Sequence, residues 1–241
     1  MRSWGARIVA ASALAAAGAL TFAAAWERWW PACPRGGFDS AACLRVQSHE
    51  LDYLVPSAPW QPTGQSATYA GFALLALALA ALTLPLVLRP TRPVGRWRIT
   101  RLLLGVVPAG ALGVLGATTL RSGQTGEPAT GSALLATAFV VWAVAWPGAL
   151  MVFAALAPGR PHGIVLAALV GLSTPVPVVL AAGPIAAGYV SHDTAPWTEA
   201  TAAPLLLVAA IVACRAPHAR RAPATGVRRV AVGHRHVLGS R

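Results

Sequence analysis

The chain of 241 residues contains no lysine, no asparagine and only seven acidic side chains. Charged residues make up 11% of it, against about 25% in a soluble domain. So little charge cannot solvate a globular surface, which excludes an ordinary soluble enzyme or binding domain. A second absence is more specific. None of the apolar runs long enough to span a bilayer contains Asp, Glu, Lys, Arg or His. Proton-coupled pumps and ion carriers place ionisable groups there, so that class loses weight. Paired intramembrane haem ligands, a phosphate-binding glycine loop and a serine nucleophile elbow are also missing. No cofactor and no metal site is expected.

What the chain does have is apolar length. Hydrophobic residues make up 56% of it. A spanning helix needs about 20 residues at 1.5 Å rise each. The candidates are Ile8–Trp26, Tyr69–Leu88, Leu102–Leu120, Ser132–Leu156, Gly163–Val190 and Ala200–Cys214. The last is short and spans only if Trp197 and Thr198 extend it. The expected fold is an all-α polytopic membrane bundle of about six helices over residues 1–214. A basic tail, 215–241, lacks apolar periodicity and is expected to be disordered. Arg2, Arg7 and the alanine-rich stretch ending at Ala25 also read as a cleavable signal peptide, which would leave five helices. The length of that run, and Trp26, Trp29 and Trp30 at an interfacial position, favour a retained helix.

Charge sets the expected orientation. All nineteen basic residues are arginine, and cytoplasmic loops hold the arginine excess. With the N-terminus inside, fifteen arginines are cytoplasmic and four (Arg28, Arg35, Arg45, Arg121) are external, while all seven acids fall outside. This places the chain in the plasma membrane with both termini cytoplasmic. It also accounts for the net charge of +12 without a nucleic-acid partner. Arg89, Arg92, Arg96, Arg98 and Arg101 form a cytoplasmic cluster suited to anionic lipid, each contact contributing about 1 kcal/mol.

The external loop 27–68 holds Cys33 and Cys43, where the compartment permits a disulfide. That bond would close a loop of about ten residues and staple a small ectodomain. Cys214, at the inner end of the last helix, is expected to be a free, buried thiol. Asp39 or Ser40 reads as the N-cap of a short amphipathic helix running to about Leu54. Leu44, Leu51, Leu54 and Val55 share one face, and the helix would lie flat on the outer leaflet. Arg45, His49 and Asp52 share the other face. With His192 and Asp193 from the last outer loop they could bind a cation or an anionic head group, although a solvated helix face is the plainer reading.

Within the bundle, Ala109, Gly113 and Ala117 form a small-residue stripe suited to helix contact. Trp142 and Trp146 stack just before Pro147. The fifth apolar run is interrupted by Ser173-Thr174-Pro175-Val176-Pro177. Prolines there would free the carbonyls of Gly171 and Ser173. Such a break either lines a substrate path (Gly171, Ser173, Thr174, Pro175, Pro177) or is a kink satisfied by hydroxyls. Three functions follow. The first is a non-enzymatic accessory or scaffold subunit presenting its outer loop to a membrane-protein partner. The second is a permease for a neutral or lipophilic substrate. The third is an envelope enzyme using His49, Asp52, His192 and Asp193.

Overall fold

The computed structural model describes residues 2–88, 95–156, 160–182 and 194–215. Among them the chain is helical apart from loops and one isolated bridge, Ser57 to Ala129. The elements are α1 (Arg2–Trp29), α2 (Ala41–Val46), α3 (Ser66–Val87) and α4 (Gly95–Thr125). They continue with α5 (Ala133–Val140), a π-helical turn (Val141–Ala145), α6 (Trp146–Ala155) and α7 (Arg160–Leu172). A short α8 (Pro175–Pro177) leads into a second π-helical turn (Val178–Ala182). A 3-10 turn (Glu199–Thr201) opens α9 (Ala202–Arg215). Among the described residues four helical stretches, one of them running through the first π-turn, are long and apolar enough to cross a membrane, and α7–α8 form a fifth, bent by 66°.

The helices close into a ring in which α1 touches α3 and α9, α3 touches α4, and α4 touches α5. Beyond the π-turn, α6 packs on α7 and α7 on α9. The ring nitrogen Nε2 of His162 donates to the Val212 carbonyl at 2.9 Å and ties α7 to α9. Leu14, Leu84, Leu112, Leu115, Leu150 and Leu166 fill the centre and are fully buried.

Glycine lets the backbones approach. A Cβ at Gly71 of α3 would sit 2.6 Å from the Leu120 nitrogen of α4, and one at Gly116 would sit 3.0 Å from the Gly71 carbonyl. Gly123 meets the Thr68 backbone equally closely, and Gly18 brings α1 onto the Ala203 carbonyl of α9. The expected Ala109–Gly113–Ala117 stripe is met only at Ala109, which is buried in the core. A Cβ at Gly113 would meet nothing within 4 Å, and Ala117 is exposed. The contacting face lies one helical step round, through Gly116 and Gly123.

Two interruptions have clear local causes. Pro147 cannot donate, and its ring would collide with the carbonyl four residues back. The helix widens just before it, with the Trp146 N–H bonding to the Val141 carbonyl five residues earlier, so α5 and α6 continue as one rod. At α7 the response is a true break. Thr174 takes an extended conformation and Pro175 starts α8 at its first position, where a missing N–H costs nothing.

The loop 30–65 is folded onto one end of the bundle as a cap. Cys33 and Cys43 are disulfide-bonded with Cα atoms 4.7 Å apart. Ser40, not Asp39, caps α2 by accepting from the Cys43 N–H at 3.2 Å. The expected helix to Leu54 is cut to Ala41–Val46. The chain turns at Gln47, makes one 3-10 turn (His49–Leu51), and then dives inward. Leu54 and Val55 pack against the main core instead of lying on a surface, while Leu44 is left exposed. The Val55 N–H donates to Thr119 Oγ1 of α4 at 3.3 Å, and the Ala129 N–H donates to the Pro56 carbonyl at 2.8 Å. The thiol of Cys214 is free as expected, but it is exposed, not buried.

Candidate functional site

Arg28 sits in the last turn of α1 and is 1% exposed. A buried guanidinium needs paired charge and filled hydrogen bonds, and this one has both. Its Nη1 contacts Asp52 Oδ1 at 2.5 Å and Glu199 Oε1 at 3.1 Å. Nε donates to the Val46 carbonyl and Nη2 to the Ser48 carbonyl. The guanidinium also lies 4.4 Å over the ring of Trp29. Trp29 in turn donates its indole N–H to Glu199 Oε2 at 3.0 Å. One arginine thus joins three regions: the end of α1, the cap, and the 3-10 turn opening α9.

Asp52 is the hub on the cap side. Besides Arg28 it accepts from Thr194 Oγ1 at 2.9 Å, and its other oxygen meets His49 Nδ1 at 2.9 Å. The Thr194 N–H donates to the Gln47 carbonyl, so the segment before α9 is stitched to the cap by backbone as well. Trp197 donates its indole N–H to the Cys33 carbonyl at 2.8 Å and packs edge-on against Trp26. The expected polar face is only partly assembled. His49 and Asp52 meet, whereas Arg45 is exposed on α2, and the arginine at the centre is Arg28. His192 and Asp193 lie outside the described residues, although Thr194 beside them reaches Asp52. Among the described residues no group of three His, Cys, Asp or Glu is placed to hold a metal.

Burial raises the Glu199 carboxyl above the ordinary glutamate range, against the opposing pull of Arg28 and the Trp29 hydrogen bond. Burial also pushes the Tyr53 phenol well up, reinforced by the neighbouring Glu199 charge. Tyr53 is therefore a neutral phenol. Both carboxyl groups of the cluster, Asp52 and Glu199, face the single Arg28 guanidinium.

Beneath the cluster lies a partly open cavity with about 80 Å³ of water-reachable space. Its floor of Ala70, Ala73, Leu74 and Leu77 comes from α3. Opposite stand Trp142 of the first π-turn, Ser173 and Pro175 at the α7 break, and Val178 and Val179 of the second π-turn. Tyr53 and Glu199 close the cap side. Two backbone outliers flank the cluster: Val55 at φ 53° and Trp197 at φ 61°. A β-branched residue there is strained, and such strain gathers at functional sites.

The broken fifth helix was legible in the sequence, and two of its residues, Ser173 and Pro175, reach the cavity. The carbonyl of Gly171, expected to be freed, accepts from Thr174 Oγ1 at 2.7 Å and from the Thr174 N–H at 3.2 Å. Ser173 Oγ donates to the Val170 carbonyl. Of the arginine cluster, Arg89 and Arg92 lie outside the described residues, and Arg96 and Arg98 fall in the first turns of α4. Arg101 lies one turn further on, beside a groove lined by Leu82, Pro85 and Leu86 of α3.

Sequence reasoning missed Arg28, Glu199, Thr194 and Tyr53 as a set. The available signal was the Trp26-Glu27-Arg28-Trp29-Trp30 run, which sets a basic residue among aromatics at a helix end. No family model, no curated protein and no solved structure matches the chain.

Proposed function

We propose that this is an integral plasma-membrane protein that crosses the bilayer six times with both termini cytoplasmic, and that it acts as a non-enzymatic accessory or scaffold subunit whose cap faces outward. The apolar outward faces support the membrane reading: Leu102, Leu134, Val144, Val152 and Leu180 are all more than 60% exposed. The last helix reaches roughly 21 Å at 1.5 Å rise per residue, and the turn before it, at the outer interface, brings the segment towards the hydrocarbon thickness of about 30 Å. A retained first helix is favoured because Ala24, Ala25 and Trp29 are fully buried and Arg28 holds the cap. The arginine-rich end then lies inside and the acidic cap outside. A cysteine at Gly131, in a Cys214→Ser background, should label from outside intact cells, and native Cys214 should label only after permeabilisation. External labelling of Cys214 would sink the orientation.

The observation that carries the subunit reading is the Arg28 junction with Asp52 and Glu199. It fixes a 36-residue loop to two helices and so presents a preorganised outer surface, including the exposed α2 with Leu44. Preorganisation lowers the ordering cost of binding a partner. Asp52 spends both oxygens on Arg28, Thr194 and His49, which argues for a structural tie over a catalytic base. A photocrosslinker at Leu44 should trap one discrete membrane-protein partner in whole cells, and mild-detergent purification should recover the same complex. A protein that purifies alone and gives no discrete adduct defeats this reading. The permease reading is favoured by one feature, the α7 break beside the cavity, and its test is uptake by cells carrying the straightened segment described below.

A further inference from the structure

We propose that the cavity beneath the cap is a binding site for a neutral, largely apolar molecule that presents a carbonyl or ether oxygen, held by the Tyr53 hydroxyl and the Trp142 indole N–H. Both side chains line this cavity, at 2% and 4% exposure, and neither polar atom has a hydrogen-bond partner in the protein. A buried polar group without a partner costs about 1–3 kcal/mol, and it does so here in apolar surroundings. The two groups can each donate, so their complement is an acceptor. Of the other polar lining groups, the Thr21 hydroxyl of α1 can add a third donor, and the remaining two are engaged. Ser173 is spent on the Val170 carbonyl, and the Glu199 oxygens on Arg28 and Trp29. With its charges paired, the cap side offers no free ion to a charged ligand, and the α3 wall is wholly aliphatic.

The backbone around the cavity points the same way. Both π-helical turns contribute lining residues, Trp142 from one and Val178 and Val179 from the other. Single π-turns concentrate at functional sites because they re-aim side chains within a helix. The α7 break adds Ser173 and Pro175. The inference goes beyond the subunit reading and concerns binding alone, whether or not the molecule is carried across the bilayer. The acceptor could belong to a free small molecule or to the ester of a bilayer lipid, and the probes below separate them.

The test uses the full chain in lipid nanodiscs with three diazirine probes: a medium-chain fatty-acid methyl ester, a hydrocarbon of equal length, and a phosphatidylcholine bearing the same chain. The ester should label peptides containing Leu74, Leu77 and Val179, and the hydrocarbon should label them less. Labelling by the phosphatidylcholine identifies a bilayer lipid as the source, and labelling by the methyl ester alone identifies a free molecule. Tyr53→Phe and Trp142→Phe should each reduce ester labelling about three- to ten-fold and leave hydrocarbon labelling unchanged. Leu77→Trp, which fills the cavity, should abolish labelling at these peptides and keeps the test decisive if the Trp142 variant does not fold. Equal labelling by ester and hydrocarbon, unaffected by Tyr53→Phe, overturns the proposal. So does labelling confined to lipid-facing peptides.

Discussion

The two sides of the bundle are built on different rules. On one side α1, α3 and α4 are uninterrupted, and the α3 and α4 backbones meet at Gly71, Gly116 and Gly123 with little or no room for a methyl group. On the other, α5 to α8 are interrupted by two π-turns and a 66° bend. In a bilayer, helices gain little from hydrophobic burial against one another, so close backbone packing supplies the cohesion. The first side takes that cohesion to its limit. The second gives it up locally, and the space released is the cavity. The cap spans both, pinned through Arg28 to α1 and to the start of α9. The regular side sets the frame, and the irregular side offers a place where something else can bind.

The sharpest way to break that comparison is to remove the pin. Arg28→Ala leaves Asp52 and Glu199 facing each other in a buried site with no countercharge. Removing one member of a buried ion pair costs about 3–5 kcal/mol, although partial exposure of Asp52 (36%) favours the lower end. Thermal unfolding of the purified protein should shift strongly, and limited proteolysis should cut the cap between Ser48 and Gln61 before the helices. Unchanged protease resistance of the cap would show that the disulfide and the Val55–Thr119 bond suffice without the arginine.

A smaller effect is expected in the frame, where two glycines give an internal control. Gly71→Ala drives a methyl group into the Leu120 backbone, and overpacking of this kind costs about 1–3 kcal/mol. Gly113→Ala places the same methyl in open space and should be neutral or slightly stabilising, since alanine favours helix by up to about 1 kcal/mol. If the two substitutions lower the melting temperature equally, the α3–α4 contact does not run through Gly71.

Helix existence was legible in the sequence because a long apolar run in a charge-poor chain has few other solutions. The disulfide and the break at Ser173-Thr174 were legible for similar reasons, each resting on local chemistry. Helix ends were not. Arg28 stood outside the apolar run, yet α1 carries it to the last turn because two carboxylates receive it there. The same blindness to tertiary partners misjudged residues 47–55. Their periodicity fits an amphipathic helix, but Asp52 is drawn to Arg28 and Leu54 to the core, and those contacts outweigh the segment's weak helix propensity. Arg45 keeps the helix period and for that reason faces away from the site. The choice between Gly113 and Gly116 as the contact face depends on helix rotation, which no local pattern specifies.

A subtler test of the pin uses pH. Burial raises the Glu199 carboxyl above its usual 4.5, so between that value and the raised one the folded protein holds a proton that the unfolded chain has lost. The stability linked to this group is complete below about 4.5 and declines as pH rises through the raised value. Glu199→Gln fixes the neutral form. The variant should gain on the parent as pH rises from 5 to 8, read as the difference in melting temperature. A gap that narrows over that range means Arg28 has overcome burial and holds the carboxylate charged.

The mildest change concerns the break itself. Pro175 and Pro177 occupy the first and third positions of α8, where backbone N–H groups lack intrahelical partners in any case. The carbonyl that Pro175 would have left stranded, on Gly171, is already satisfied by Thr174. The prolines therefore cost little where they stand, and replacing both with alanine should shift stability by less than about 1 kcal/mol. Two forces then compete. The restored N–H groups favour an unbroken ladder from Leu169 onward, while the Thr174 hydroxyl and the packing of Val178 favour the bend. Hydrogen exchange across residues 169–180 decides between them. Slower exchange reports a straightened helix, which should close the cavity and reduce ester labelling. If straightening leaves folding intact and abolishes uptake of a neutral substrate, the permease reading gains. Faster or unchanged exchange means that Thr174 sets the break, and Thr174→Ala becomes the substitution that should straighten it.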